Sequence, residues 1–361
     1  MNITTAFVCF FSASENNTGA AKVSYNFFKQ WKNNKKLFQF TSNKKIKKKK
    51  YLKNVYLRKE NALYKILNLP NIIFHIYQYL KNKKKPILIL EGASWIFFSF
   101  VIFFVLKFFI KNLKVIYHGH NIEYEVRKNS FLIKKLTFYF EKIIYNKVDI
   151  GTVVSKRDKN KISKIYKSKS YVFPNGYYLN DVKIKKINIP KKFILFNGSY
   201  GYWPNKIAIN KILNIYHPII TKKYKDIHFI FTGNNFPKKF FKTKKTKFFQ
   251  NLSDQKYKYV LKKSMLLFFP IPKSPGTKVK VIEGLCEGKT IVATKPCFLG
   301  IDVLKGDKSC KFTTDKEGLI KLRKAINNSK ITNKNKFQYQ KKYLLKYSIN
   351  KLICCNEKVF N

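Results

Sequence analysis

Short, continuously apolar runs alternate along this chain with longer stretches of helical periodicity. The runs are rich in β-branched and aromatic residues and lie at 3–11, 87–91, 114–118, 149–155 and 171–173, then at 193–197, 227–232, 265–270 and 290–294. Continuous apolarity of this kind is typical of strands in a parallel sheet that is covered on both faces. Strand–helix–strand repetition predicts right-handed crossovers and therefore a doubly wound α/β fold.

The alternation is interrupted once, which predicts two domains. Amphipathic stretches lie at 20–33, 130–146, 206–221 and 277–287, whereas 177–192 is polar and Lys-rich and contains a proline. Such a stretch is typical of a linker. We predict an N-terminal domain over 1–178, a linker over 179–192 and a C-terminal domain over 193–361. Both domains are expected to be Rossmann-like and to face each other across a cleft, and a return of the last helix to the first domain stays open.

The charge balance is strongly basic, with 75 basic and 18 acidic residues among 361 and a net charge of +57. Only four of the basic residues are arginines, at 58, 127, 157 and 323. Because bidentate recognition of bases and phosphates favours the arginine fork, the lysines indicate a compositional bias, and no specific nucleic-acid partner is predicted. Such a field still attracts anionic lipid. An apolar fraction of 45% excludes a disordered chain.

The cysteines and the apolar segments indicate in which cellular compartment the chain is expected. The six cysteines show no metal-type spacing and fit a reducing cytoplasm. The first residues read as a buried strand and not as a signal peptide. Residues 92–106 carry no charge, but a helix of that length spans only about 22 Å against a hydrocarbon core of ~30 Å. We expect a buried or interfacial helix there, with contact to a cytoplasmic membrane face left open.

The window 276–294 contains the most informative pattern. At about 100° per residue, Lys280, Glu283, Gly284 and Glu287 share one face of a helix that opens at Gly276 and Thr277, and an apolar stripe lies opposite. A helix N-terminus with a lysine one turn inside suits a phosphate, and a carboxylate one turn further suits sugar hydroxyls. The alternative is an ordinary surface pair between Lys280 and Glu283.

The same window contains an apparent phosphate-binding loop that we reject. Three residues separate Gly284 from Gly288 where a P-loop has four, and the segment leads from a helix into a strand, which is the wrong order. Lys289 is then expected to be a cation at a helix C-terminus, and no ATPase activity is predicted.

Residues 276–294, G-T-K-V-K-V-I-E-G-L-C-E-G-K-T-I-V-A-T, resemble the second-domain signature of the GT-B glycosyltransferases of family 4, in the subgroup with G-T-x-x-K-x-x-E. Further segments are similar to that family in the expected order, namely 117–125 (H-N-x-E-x-E), 153–155 with 172–176 (V-S … V-x-P-N-G), 196–205 and 249–254. The resemblance covers residues 1 to about 300. It implies the GT-B fold, with two Rossmann-like domains.

The resemblance also implies a donor site for a nucleotide diphosphate sugar. Lys280 would contact the diphosphate and Glu283 the ribose, and Gly19 of the reduced loop 16–20 would let the backbone approach the diphosphate. The remaining donor-site residues implied are Gly198, Ser199, Lys206, Gly276 and Thr277. The family usually has a basic residue just after the first strand of the second domain, and Lys206 is the nearest candidate for it here. The sequence also departs from the family at Pro275, which stands where many relatives carry the first glutamate of a paired motif.

His120 is the implied catalytic residue, in contact with the donor sugar or the acceptor. His118 and His120 together suggest a metal pair, but we expect their side chains to point to opposite faces, so no metal site is predicted. The chain has no Asp-x-Asp motif for a metal-held diphosphate. The charge of the departing diphosphate would then be met by Lys280 and the helix N-terminus, with no cofactor besides the nucleotide sugar.

The implied function is a metal-independent hexosyltransferase. It would transfer a sugar with retention to a glycan or lipid-linked acceptor, in cell-surface polysaccharide or glycolipid synthesis, in the cytoplasm and peripherally on the membrane. Two alternatives stay open: a non-catalytic basic protein that binds anionic lipid or nucleic acid, and a nucleotide-sugar epimerase on the same fold.

Overall fold

The computed structural model describes residues 3–15, 18–47, 49–127, 130–177, 183–272, 276–328 and 335–360. The chain divides into two compact units. The N-terminal unit comprises Met1–Gly176 and Leu345–Asn361, and the C-terminal unit comprises Tyr177–Leu344.

The described part of the N-terminal unit contains a sheet of seven parallel strands in the order β3-β2-β1-β4-β5-β6-β7. The strands are β1 (Ile3–Cys9), β2 (Asn34–Thr41), β3 (Leu52–Tyr56), β4 (Lys85–Gly92), β5 (Lys114–Gly119), β6 (Ile150–Val153) and β7 (Tyr171–Val172). The helices are α1 (Gly19–Gln30), α2 (Ala62–Leu67), α3 (Leu69–Leu80), α4 (Ile96–Phe109), α5 (Glu123–Val126), α6 (Phe131–Lys147) and α7 (Lys156–Tyr166).

The described part of the C-terminal unit repeats this topology with six parallel strands in the order β10-β9-β8-β11-β12-β13. The strands are β8 (Phe193–Asn197), β9 (His228–Gly233), β10 (Thr246–Gln250), β11 (Leu266–Phe269), β12 (Thr290–Thr294) and β13 (Cys310–Phe312). The helices are α8 (Trp203–Lys211), α9 (His217–Lys223), α10 (Asp254–Lys263), α11 (Val279–Cys286), α12 (Asp315–Asn327) and α13 (Lys336–Tyr343), with a π-helical segment at Ile212–Tyr216.

The last helices, α14 (Leu345–Cys354) and α15 (Glu357–Phe360), belong to the N-terminal unit. There α14 packs on α1, and the Phe360 ring lies 5.9 Å from that of Trp31.

The central strands are apolar on both faces, as the sequence predicted. In β4 and β11 every residue from Pro86 to Gly92 and from Leu266 to Phe269 is buried. Helices cover both faces of such a sheet, so alternation between apolar and polar residues is not required. Both cores are therefore built on continuous strand runs.

Four strands were missed, and three of them are edges. β3, β10 and β13 each have a single neighbouring strand, so they are less apolar than central strands. The fourth, β2, begins with Asn and two lysines and is buried only from Leu37 onward. Residues 52–56 pair with β2 as a strand.

Each sheet reverses its strand order once, between β1 and β4 and again between β8 and β11. Ligands of doubly wound folds bind beyond the carboxyl ends of the strands at such a switch point. The residues that follow β1, β4 and β5, and those that follow β8 and β11, are therefore where a site is expected.

The apolar segment 92–106 belongs mostly to α4, whose inner side chains are buried against the sheet. Among the residues that the structure describes, no helix combines the length and apolarity needed to cross a membrane. All six cysteines are free.

Candidate functional site

In the C-terminal unit a lysine ammonium lies directly over the end of the first strand. Lys280 Nζ donates to the carbonyl oxygen of Asn197 at 2.5 Å and to Oδ1 of Asn205 at 2.9 Å. The ring centroids of Phe196 and Phe269 lie 4.7 and 5.2 Å from the same nitrogen. We call Asn197, Gly198, Asn205, Lys278, Lys280 and Glu283 the Lys280 site, and it occupies the switch point of the sheet.

Gly198 leaves the space that this arrangement needs. A Cβ at Gly198 would lie 2.6 Å from Nδ2 of Asn205 and 2.7 Å from Nζ of Lys280. The carbonyl oxygen of the next residue, Ser199, accepts a hydrogen bond from Nδ2 of Asn205 at 3.0 Å. Asn205 thus links the ammonium to the loop after β8, and any larger residue at Gly198 would displace the lysine.

The helix that carries Lys280 begins two residues later than predicted. α11 starts at Val279, with Lys278 as its N-cap, so Gly276 and Thr277 lie in the segment before the helix. Nζ of Lys278 donates to the carbonyl oxygen of Gly276 at 2.8 Å. Two lysines therefore lie at the helix N-terminus, where backbone N–H groups are also available to an anion.

Both lysines titrate far below an ordinary lysine. Burial lowers the pKa of Lys280 to about 7 and the pKa of Lys278 to about 8. An ammonium that is this poorly solvated gains more from an anionic partner than an exposed lysine does, because less hydration is lost on binding. The site is thus prepared for a ligand of high negative charge.

Glu283 is buried, so the interpretation as a surface pair with Lys280 is wrong. Its side chain is 8% exposed and accepts a hydrogen bond from the Tyr257 hydroxyl at 2.9 Å. That hydroxyl in turn accepts from Nδ2 of Asn197 at 2.7 Å. Asn197 therefore connects the two predicted donor-site residues, through its carbonyl to Lys280 and through its side chain to Glu283.

The predicted polar face of α11 is not a surface. Gly284 packs against Leu267 and Ile291, where a Cβ would collide with their side chains, and Glu287 is buried as well. α13 packs on the same helix, and Nζ of Lys336 lies 3.7 Å from Oε2 of Glu287. Lys289 donates to the carbonyl oxygens of Lys262 and Ser264 at the end of α10, so it is a cation at a helix C-terminus, that of α10.

Lys206 is not part of the cluster around Lys280. It is exposed on α8, and its ammonium lies over the ring of Tyr200 at 5.8 Å from the centroid. The position of Pro275 lies outside the described residues, as do Asn16 and Asn17 of the first-domain loop.

In the N-terminal unit a buried carboxylate joins both histidines. Glu91, at the end of β4, is 0% exposed. Its Oε2 lies 2.7 Å from Nε2 of His120, and both of its oxygens lie 3.2 Å from Nδ1 of His118. Ser24 of α1 donates to Oε2 at 2.5 Å. We call Glu91, His118, His120 and Ser24 the Glu91 cluster.

The expectation that the two histidines point to opposite faces was wrong. Residues two apart on an extended chain share a face, and the rings of His118 and His120 lie 4.6 Å apart. With Glu91 they form the one group in the described residues whose donor atoms are close enough together to hold a metal ion. The expected absence of a metal site stays a prediction.

Gly19 is the first residue of α1, directly after Thr18, whose hydroxyl caps the helix by accepting from the Ala21 amide at 3.1 Å. A Cβ at Gly19 would meet no atom within 4 Å. Packing within the protein therefore does not require glycine here, which leaves the space open to a ligand.

Sequence reasoning missed Glu91, Asn205, Lys278 and Tyr257. Glu91 had a detectable signal, since it is an acidic residue at the end of a fully apolar strand, where an unpaired charge is costly. Tyr257 had none, because its partners come from distant segments.

No protein-family model matches the sequence, and no curated protein matches it. Solved structures do match. Sucrose-phosphate synthase from Thermosynechococcus elongatus has a TM-score of 0.74 at 11% identity and covers 99% of both chains. HepE from Anabaena, solved with UDP and glucose, has a TM-score of 0.66 at 11% identity, over 98% of this chain and 99% of that chain. A putative UDP-N-acetylglucosamine 2-epimerase from Listeria monocytogenes has a TM-score of 0.65 at 14% identity, over 100% and 97%.

This chain has the GT-B fold. Two doubly wound, Rossmann-like domains were predicted, and the two parallel sheets together with these matches over nearly the whole chain confirm them. The assignment to family 4 stays a prediction.

Proposed function

We propose that the chain is a glycosyltransferase that transfers a sugar from a nucleotide diphosphate donor to an acceptor hydroxyl with retention. The observation that carries this proposal is the partly buried Lys280 ammonium, held over Gly198 at the switch point of the second sheet. Solved glycosyltransferases with the same fold support it, and one of them holds UDP and glucose.

The Lys280 site would bind the donor through its charge. Lys280, the segment of Gly276 and Thr277 and the N-terminus of α11 would take the diphosphate, with Ser199 beside them. These groups would stabilise the charge that develops on the diphosphate as it leaves, without a metal ion. Because the pKa of Lys280 is about 7 in the free protein, binding the dianion near pH 8 would take up a proton.

Glu283 would accept hydrogen bonds from the ribose hydroxyls, with its carboxylate oriented by Tyr257. In the N-terminal unit, His120 would contact the transferred sugar or the acceptor, and Gly19 would allow the backbone to approach the diphosphate. Lys206 is the weakest member of the proposed donor site, because its exposed ammonium lies over Tyr200.

A binding experiment with a matched control tests the donor site. UDP, GDP and ADP would be titrated calorimetrically into the wild type, Lys280→Met and Lys289→Met. Lys289 is a second lysine of the same unit whose pKa burial lowers, to about 8, and its ammonium also binds two acceptors. We expect one nucleotide to bind the wild type and Lys289→Met alike and Lys280→Met at least tenfold more weakly. Equal binding by all three proteins would remove the support for the proposal.

A transfer assay separates the proposal from the alternatives. With acceptor present, the proposal predicts a new glycoside whose anomeric signal in proton NMR matches that of the donor, at an unchanged rate in EDTA. The epimerase that shares the fold would change the sugar without an acceptor. A non-catalytic basic protein would bind anions with an affinity that falls steeply with salt and would release no nucleotide.

A further part of the proposal is a lipid-linked acceptor at an anionic membrane. The first six residues of α6, F-L-I-K-K-L, are all exposed, with Phe131 at 83%. Two lysines among four large apolar side chains suit a helix end that dips into an anionic surface. The end of α4 adds Phe108 and Phe109, which are also exposed.

Vesicle flotation tests this surface. We expect the wild type to float with vesicles that contain 30% anionic lipid and Phe131→Glu to stay in the soluble fraction. Phe337→Glu, which alters an exposed phenylalanine of the C-terminal unit, is the control and should float. Equal flotation of the two variants would contradict the assignment of the surface to α6.

A further inference from the structure

The Glu91 cluster contains an ionisable group that the proposed function does not use. Glu91 is fully buried between β1 and β5, and its carboxylate oxygens make hydrogen bonds with the side chains of Ser24, His118 and His120. The rings of Phe27 and Phe173 pack edge-on against His118 at 5.4 and 5.0 Å, so the surroundings are apolar. A carboxylate in such a place needs a donor for each oxygen.

The contacts determine which ring nitrogens carry protons. Burial alone would raise the pKa of Glu91, but the two imidazoles hold it well below its usual range, so the group is an ionised acceptor. Each neighbour must then donate: Ser24 through its hydroxyl, His118 through Nδ1–H and His120 through Nε2–H. One carboxylate therefore fixes opposite ring nitrogens of the two histidines as donors, Nδ1 of His118 and Nε2 of His120.

The consequence for His120 is a free acceptor. Burial lowers the pKa of His120, so the ring is neutral near pH 7 and carries its single proton on Nε2. Nδ1 is left with a lone pair, and the described residues provide no hydrogen bond to it. His120 retains 5% exposure, whereas His118 is fully buried. Of the two rings, only His120 can reach a ligand.

We propose that Glu91 is the positioning residue of His120, which fixes its ring and tautomer so that Nδ1 accepts a hydrogen bond from a hydroxyl of the sugar or of the acceptor. The inference rests on the proposed function for the identity of that ligand. Through Ser24 the same carboxylate also fixes α1, the helix that starts at Gly19. One buried carboxylate thus fixes both the His120 ring and α1.

Nitrogen-15 NMR of the histidine rings tests the geometry without any activity. The chain has five histidines, and His118→Asn and His120→Asn assign the two signals. At pH 7.5 we expect Nδ1–H for His118 and Nε2–H for His120 in the wild type. In Glu91→Gln, an amide offers one acceptor oxygen and two donors, so the fixed pair of tautomers should be lost. The same tautomer on both wild-type rings, or an unchanged pair in Glu91→Gln, would overturn the proposal.

Kinetics test the role in transfer. Glu91→Gln should lower kcat/KM about 10- to 100-fold, the size of the effect when a metal-bound histidine loses its orienting partner, and leave nucleotide affinity at the Lys280 site unchanged. Glu91→Asp should recover part of that loss because it restores the carboxylate. The matched control is Glu60→Gln, which removes an exposed carboxylate of the same unit and should behave as wild type. Full activity in Glu91→Gln would refute the positioning role.

Two further outcomes distinguish failure of the proposed function from failure of the positioning role. If the wild type transfers no sugar but shows the opposed tautomers, the proposed function fails and the role of Glu91 in holding His120 stands. If the wild type retains one equivalent of zinc or cobalt that Glu91→Gln loses, the cluster is a metal site and the positioning proposal is overturned.

Discussion

Replacing Lys280 with methionine should weaken nucleotide binding and stabilise the free protein. Lys280 is a partly buried cation whose pKa burial lowers from 10.5 to about 7. At about 1.36 kcal/mol per pKa unit, burying its charge costs about 5 kcal/mol below pH 7. Methionine avoids that cost but leaves the carbonyl of Asn197 and Oδ1 of Asn205 without their donor, which costs about 1–2 kcal/mol each. The net gain is about 2 kcal/mol at pH 6.5.

The sign of this effect depends on pH. Between pH 7 and 10.5 the unfolded chain keeps a proton on Lys280 that the folded protein has lost, so wild-type stability rises with pH in that window. The advantage of methionine is therefore largest below pH 7. Near pH 10 the charge penalty is under about 1 kcal/mol, and the lost hydrogen bonds make the variant the less stable protein.

Thermal unfolding of the wild type and Lys280→Met at pH 6.5 and pH 10 is the assay, with UDP, GDP and ADP titrations alongside. A gain of about 2 kcal/mol corresponds to a rise in Tm of about 4–8 °C for a unit of this size. A variant that is less stable at pH 6.5, or that binds nucleotide as the wild type does, would refute the reasoning. Lys289→Met should change stability little, because a charge penalty of about 3 kcal/mol is offset by two lost hydrogen bonds, and it should bind nucleotide as the wild type does.

Three other changes have definite expected outcomes. Gly198→Ala should lower nucleotide affinity at least tenfold, because the new Cβ displaces the Lys280 ammonium; calorimetry that finds wild-type affinity would contradict this. Glu283→Gln should weaken UDP by about 1.4 kcal/mol, or tenfold, and should abolish the preference for UDP over 2′-deoxy-UDP, since the ribose contact is lost; a preserved preference would place the ribose elsewhere. Burial raises the pKa of Glu141 from 4.5 to about 7, so between pH 4.5 and pH 7 the folded protein keeps a proton that the unfolded chain has lost, and stability falls with pH in that window. Melting curves from pH 5 to 7 should therefore fall more steeply for the wild type than for Glu141→Gln, and parallel curves would show that Glu141 is not the group responsible.

The sequence predicted the architecture because the signals for it are local. A central parallel strand is apolar on both faces, so β8 and β12 were placed with their observed ends. Edge strands such as β3 and β13 have weaker patterns, since one neighbour is missing and solvent is close. Their pairing follows from the fold and not from their own residues.

The candidate site was predicted only in part, and the reason is again locality. Lys280 and Glu283 lie on one helix, so their spacing could be seen in the sequence. The bridge between them through Asn197 and Tyr257 joins segments that are far apart in the chain. The start of α11 was placed two residues early because no capping side chain marks it.

The Glu91 cluster was not predicted because the side chains of His118 and His120 were expected to point to opposite faces. Two side chains on opposite faces cannot share a partner, although Glu91 lies near the end of the neighbouring strand. Parallel strands in register place Glu91 beside His118, and side chains two apart share a face. The cluster follows from these two rules once the strand order is known.

A crystal structure with the best-binding of UDP, GDP and ADP tests the central claim most directly. We expect the diphosphate within 3.2 Å of Lys280 Nζ and of backbone N–H groups at the start of α11, with the ribose hydroxyls on Glu283. A nucleotide bound away from the carboxyl ends of β8 and β11, with Lys280 still on Asn197 and Asn205 alone, would contradict the account.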